Sequence, residues 1–99
     1  MNQRFRDLVD ADQRLAILQV LEGDPDYSHN DHILTGALAR LGHAVSIDKL
    51  RTELQWLEEQ GLLTVDKALV GVWVAKLTRR GEDVALGRAR VEGVARPGP

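Results

Sequence analysis

Four residues, Gly42-His43-Ala44-Val45, separate two strongly helical segments, and this short corner limits the fold more than any other feature of the chain. A leading glycine accepts the left-handed conformation that closes a helix, and so short a connection turns one helix sharply onto the next. Before the corner, Leu34, Ala37, Leu38 and Leu41 follow helical spacing and predict a helix from near Ser28 to Gly42. Ser28 and Asp31 match a capping box at its start. After the corner, Ser46 is an N-cap, Val45 and Leu50 form a hydrophobic staple, and Asp48 suits the positive end of the helix dipole. Ile47, Leu50, Leu54 and Leu57 then form a buried stripe on a helix running from Ser46 to Gln60 and ended by Gly61.

The flanking segments complete the pattern. An earlier helix, from about Ala11 to Leu21, carries Leu15, Ala16, Ile17, Leu18, Val20 and Leu21, too many apolar residues for one narrow stripe. It must be covered on two sides, by the domain itself or by a second subunit. Gly23-Asp24-Pro25-Asp26 stops it. After Gly61 the period changes to two. Leu63 and Val65 alternate with polar residues, Asp66-Lys67-Ala68 reads as the turn, and Val70 to Leu77 reads as a β-branched, aromatic strand. Trp73, Ala75 and Leu77 share one of its faces, and Val70, Val72 and Val74 the other. Thr78 caps a last helix, about Arg79 to Leu86, ended by Gly87. The chain is thus mainly α with a small β-hairpin: a winged helix-turn-helix with a three-helix core, a wing and a short C-terminal helix. It spans 1–87, with an extended tail over 88–99. A plain three-helix bundle has no use for Leu69 to Leu77 as a strand.

The length of 99 residues holds one domain with a modest core, for which a partner subunit is a natural source of further burial. There is no cysteine, so disulfides and thiolate zinc sites are excluded. No apolar run follows the N-terminus, and the longest one, Leu69 to Ala75, is far shorter than the roughly 20 residues a bilayer needs. A cytoplasmic location is expected. Net charge is −2 but uneven: residues 1–66 balance to −6 and residues 67–99 to +4. No nucleophile motif, phosphate loop or paired catalytic carboxylates stand out, so neither an enzyme nor a cofactor is expected. His29 and His32, with Asp26 and Asp31 nearby, fall short of a convincing metal ligand set.

Leu54-Gln55-Trp56-Leu57-Glu58-Glu59-Gln60-Gly61-Leu62-Leu63 resembles the Leu-x-x-Leu-Glu-x-x-Gly-Leu end of the recognition helix in many winged-helix regulators. Leu77-Thr78-Arg79-Arg80-Gly81 resembles their Leu-Thr-x-x-Gly exit from the wing. Across nearly the whole chain, Asp12-Gln13-Arg14-Leu15-Ala16-Ile17-Leu18, Gly42-His43, Gly71-Val72-Trp73-Val74-Ala75 and Gly87-Arg88-Ala89-Arg90 are similar to the short winged-helix proteins of Mu-like bacteriophages and prophages. That family is often labelled ArsR-like. The resemblance implies a phage origin and a regulatory role. The absence of cysteine removes the thiolate ligands of the metal-sensing ArsR proteins.

The expected function is therefore a transcriptional regulator that binds double-stranded DNA as a homodimer. In the usual docking the third helix enters the major groove. Lys49, Thr52 and Gln55 point away from its buried stripe, with Arg51 to the side, and are candidate readers. Lys67, Lys76, Arg79 and Arg80, in and after the wing, are candidate phosphate contacts. Trp56 lies about 140° or more from the stripe and calls for a cover: tail, wing or second subunit. Leu15, Ile17, Leu18, Val20, Leu21, Trp56, Val72 and Val74 are the candidate dimer surface. Against the DNA reading stand Asp48, Glu59 and the acidic body, which suit a winged helix that binds protein instead.

Overall fold

The computed structural model describes residues 3–98; Met1, Asn2 and Pro99, at the ends of the expected domain and tail, lie outside the described residues. The elements are α1 (Gln3–Glu22), β1 (Ser28–Asn30), α2 (Asp31–Arg40), α3 (Ile47–Glu59), β2 (Leu63–Leu69), β3 (Val72–Leu77) and α4 (Arg79–Ala85). The antiparallel sheet has the order β1-β3-β2, with β2 and β3 forming a hairpin. This mixed arrangement of helices and a three-stranded sheet is that of a winged helix-turn-helix.

The corner follows from its residues. Gly42 has a φ of +90°, and the amides of Gly42 and His43 donate to the carbonyls of Ala39 and Leu38, closing α2 in a Schellman motif. Ser46 Oγ accepts from the Lys49 amide at 3.0 Å and opens α3. Gly61, with a φ of +76°, ends α3 in the same way, and Leu62-Leu63 enter the sheet directly. Thr78 Oγ1 accepts from the Gly81 amide and starts α4.

Three local expectations need correction. Ser28 does not cap α2. It lies in β1, which pairs with β3 in the register Ser28↔Lys76, His29↔Ala75 and Asn30↔Val74. The free edge of β3 claims these residues, and Asn30 takes over the cap by accepting from the Ile33 amide at 2.9 Å. The wing turn is not at Asp66-Lys67-Ala68 but at Val70-Gly71, where Gly71 has a φ of +78°. Asp66 Oδ1 accepts from the Ala68 amide, making an irregularity inside β2 rather than a reversal. Finally, α1 begins at Gln3, two turns before Ala11. No residue of α1 before Gln13 is buried, so a search for core-facing spacing has nothing to detect there.

From Gln13 onward α1 is the centre of the molecule. Ile17, Leu18 and Leu21 are fully buried together with Leu34, Leu38, Leu50, Leu54, Leu57 and Leu62. The rest of the domain supplies the two-sided cover that α1 requires: α2 packs on it, and so do β3 and α4. Gly81 permits the close approach of α4, since a Cβ there would overlap the Leu62 carbonyl and lie 2.7 Å from Leu77 Cδ1. The segment after α4 has neither helix nor strand but returns across the domain. Its Ala89, Val91 and Val94 pack on the core, and the Ala95 amide donates to the Ala11 carbonyl at 3.1 Å. No helix among the described residues is long and apolar enough to cross a membrane.

Candidate interaction face on the third helix and wing

Both cations of α3 are held by ion pairs to other residues of the chain. Arg51 Nε lies 2.7 Å from Asp31 Oδ2, and Asp31 has no exposed surface. The same guanidinium donates to the Gly71 carbonyl at 2.8 Å and sits 5.0 Å from the centre of the Trp73 ring. His32 Nε2 lies 3.1 Å from that carbonyl too, and 3.6 Å from Asp31 Oδ1. Arg51 therefore braces the wing against the start of α2. Lys67, on β2, lies 4.2 Å over the Trp73 ring, so its ammonium is drawn onto the wing itself.

The second network joins α1, α3 and the tail. Lys49 Nζ lies 2.9 Å from Asp10 and 3.5 Å from Glu53. Burial would push the Lys49 pKa down, but the hydrogen bond its ammonium donates to Asp10 and the charge of Glu53 outweigh it and raise the pKa above the ordinary lysine value. Glu53 is itself buried and pairs with Arg14 at 3.3 Å. Arg14 donates to the Gly93 carbonyl at 3.0 Å and stacks 4.0 Å from the Trp56 ring centre. Gly93 has a φ of +95°, and a Cβ on it would come within 2.8 Å of Trp56 Cζ2. Of the three possible covers for Trp56, the tail is the one found.

What remains outward on α3 is Thr52 and Gln55, flanked by Asp48, Glu58 and Glu59. Thr52 Oγ1 donates to the Asp48 carbonyl, and Glu58 Oε2 accepts from the Val65 amide on the edge strand β2. Thr52, Gln55, Trp56, Glu58 and Glu59 line a shallow depression of about 330 Å³. Beside α3, the wing presents Leu69 and a fully exposed Val70 at its tip. Lys76, Arg79 and Arg80 are exposed near the wing base, and Arg80 donates to the Gln60 carbonyl. The structure thus brings Thr52 and Gln55 together on an acidic surface and turns Lys49 and Arg51 away from it.

The candidate dimer residues divide sharply. Ile17, Leu18 and Leu21 are wholly inside the protomer and Leu15 nearly so, because their own α2, α4 and sheet fill the space a second subunit would need. Ile17, Leu18 and Leu21 are removed from any interface, whereas Leu15 keeps a small exposed edge beside Asp12, Ala16 and Gln19. Val20 is half-buried on the core, and Trp56 lies under Arg14 and Gly93. Val72 and Val74 are half-exposed and share with Lys76 the face of β3 opposite Ala75 and Leu77. Among the described residues no group of three or more His, Asp or Glu is arranged to hold a metal ion. His29 pairs with Asp24 at 2.7 Å, and His43 with Asp12 at 3.5 Å.

Arg14, Glu53 and Gly93 are not among the candidate site residues of the sequence, and Asp31 stands there only as a helix cap and a poor metal ligand. The four-residue step from Lys49 to Glu53 is a helical ion-pair spacing and signals one of these links. The Asp31–Arg51 and Arg14–Gly93 links join distant segments and leave no local trace.

Fold and site together define a winged helix-turn-helix domain whose third helix has its cations tied inward. The chain is 48% identical over 95 residues to "Uncharacterized protein gp26" of Escherichia phage Mu, a match covering 96% of this chain and 97% of that protein. It is also 45% identical over 76 residues to an "Uncharacterized protein" of Haemophilus influenzae (strain ATCC 51907 / DSM 11121 / KW20 / Rd), covering 77% and 74% of the two chains. The chain belongs to the family of the phage Mu gp26 protein. No family model matches it, and no solved structure does. Neither relative's name states an activity.

Proposed function

We propose that this is a winged-helix protein-interaction module of a Mu-like phage or prophage, in which the outer face of α3 and the wing tip receive a protein partner. One observation carries the reading. The exposed part of α3 offers Asp48, Thr52, Gln55, Glu58 and Glu59, while its two cations are paired with Asp10, Glu53 and Asp31. Such a surface repels phosphates, whose neutralisation by Lys and Arg supplies most of the affinity of DNA binders. The apolar wing tip, Leu69 and Val70, suits the dry centre of a protein interface better than a phosphate backbone.

The second reading is the transcriptional regulator, a homodimer on double-stranded DNA. It is favoured by the exposure of Thr52 and Gln55 on α3 and of Lys76 and Arg79 near the wing base. A titration of the folded protein against DNA from its own genomic neighbourhood, at two salt concentrations, separates the two. The interaction module gives no sequence-specific binding at either salt. Specific, salt-sensitive binding that weakens in Gln55→Ala and Lys76→Ala would overturn it in favour of the regulator. A photo-crosslinking amino acid in place of Val70 then reports what the wing touches in the cell.

A further inference from the structure

The charges of α1 oppose its own dipole. Arg4 and Arg6 stand in its first turns, with no acid in the first turn; Glu22 ends it, with no base in the last turn, and Asp24 and Asp26 follow. Helix ends favour the reverse order. Among the described residues, none of α1 before Gln13 is buried.

Those turns are also apolar on one side. Helical geometry aligns Phe5, Leu8, Asp12, Leu15 and Gln19 on a single face, with Arg4 and Glu22 along the same flank of it. Phe5 is 51% exposed and Leu8 65%. Further along the face, Asp12, Leu15, Ala16 and Gln19 form one wall of a groove of about 190 Å³, whose other wall is Leu41 and His43 of the α2–α3 corner. Leu41 is 56% exposed. An exposed apolar pair, Phe5 and Leu8, and a groove of mixed lining, with Leu41 as its main apolar wall beside Asp12, Gln19 and His43, thus lie on one continuous surface.

We propose that α1 is a dimerisation helix: Phe5 and Leu8 of one copy seat in the α1–corner groove of a second copy, the two α1 helices running antiparallel about a two-fold axis. A two-fold interface must be self-complementary, and a knob and groove on the same face meet that condition twice over. Charge selects the second copy as the occupant. Antiparallel pairing brings the Arg4 end of each α1 to the Glu22 end of the other, so these two charges meet their opposites, while Arg6 lies on the far side of the helix. Asp12, which falls near the axis, lies 3.5 Å from His43 Nε2 of its own chain. This interface lies on different elements from the α3 and wing face and stands independently of the function proposed for that face.

Sedimentation equilibrium of the full chain over a wide concentration range tests it. The expected result is a reversible dimer. Leu8→Asp, at an exposed position, raises the dimer dissociation constant about a hundredfold while leaving the circular dichroism spectrum unchanged. Arg4→Glu and Glu22→Arg each weaken it about tenfold, and the R4E/E22R double variant restores it. Each of these swaps improves the match to the helix dipole, so weakening by either one does not reflect loss of the helix. A protein that stays monomeric up to about 1 mM would overturn the proposal. So would a dimer indifferent to Leu8→Asp, or one weakened by both single swaps and not rescued by the double.

Discussion

Replacing Arg51 by Ala separates its structural role from a reading role. Arg51 is the hydrogen-bonded cation of Asp31, which has no exposed surface and whose second oxygen makes no hydrogen bond. Removing one partner of a buried pair costs about 3–5 kcal/mol, because the other charge is left in a poor dielectric without compensation. Arg51 keeps 24% of its side-chain surface exposed, so water reaches the gap and the lower end, about 3 kcal/mol, applies. For a domain of this size that lowers the melting temperature by about 12–20 °C. Asp31→Asn alone leaves a neutral amide facing Arg51 and costs less. The double variant R51A/D31N recovers much of the loss, since no buried charge remains. Urea and thermal unfolding of the four proteins measure the cycle. A loss under about 1 kcal/mol in Arg51→Ala, or no recovery in the double variant, would refute the reasoning.

Other predictions follow from the same contacts. Gly81→Ala forces α4 off the Leu62 carbonyl and destabilises by about 3 kcal/mol or more, read by urea unfolding. Gly93→Ala meets both a φ of +95° and the Trp56 ring, so it loosens the tail at a cost of about 1–3 kcal/mol; the readouts are faster proteolysis after Arg90 and a red shift of tryptophan emission. The raised pKa of Lys49 links its pairing to the ammonium form. That stabilisation is complete below the ordinary lysine value of 10.5 and lost as pH climbs through the higher folded value. Lys49→Met, lacking this titration, shows a shallower fall of stability in the alkaline limb than the parent protein.

The parts of the fold legible in the sequence are those written locally. Ser46 and Thr78 as caps, Gly42, Gly61 and Gly87 as helix ends, and the Leu50/Leu54/Leu57 stripe are decided within a few residues and stand as read. The first strand was hidden because Ser28-His29-Asn30 has no strand-like pattern; it forms because β3 has an edge to fill. The first turns of α1 were hidden because they touch no core. At the candidate site, position was legible and availability was not. Helical geometry rightly puts Lys49 near the outer side of α3, but only the fold brings Asp10 to its ammonium. Trp56 was recognised as needing a cover, yet the tail has no periodicity to announce that Gly93 would supply it.

The Gly71 carbonyl, shared by Arg51 and His32, bears on the entropy of recognition. Hairpin tips of winged helices project into solvent, and a free tip must lose its motion when a partner arrives. Here the turn is tethered to the first residues of α2 and to the middle of α3 before any encounter. Leu69 and Val70 are presented on a surface already immobilised, so contact with them carries little ordering cost. Binding at this wing should then approach rigid-body docking.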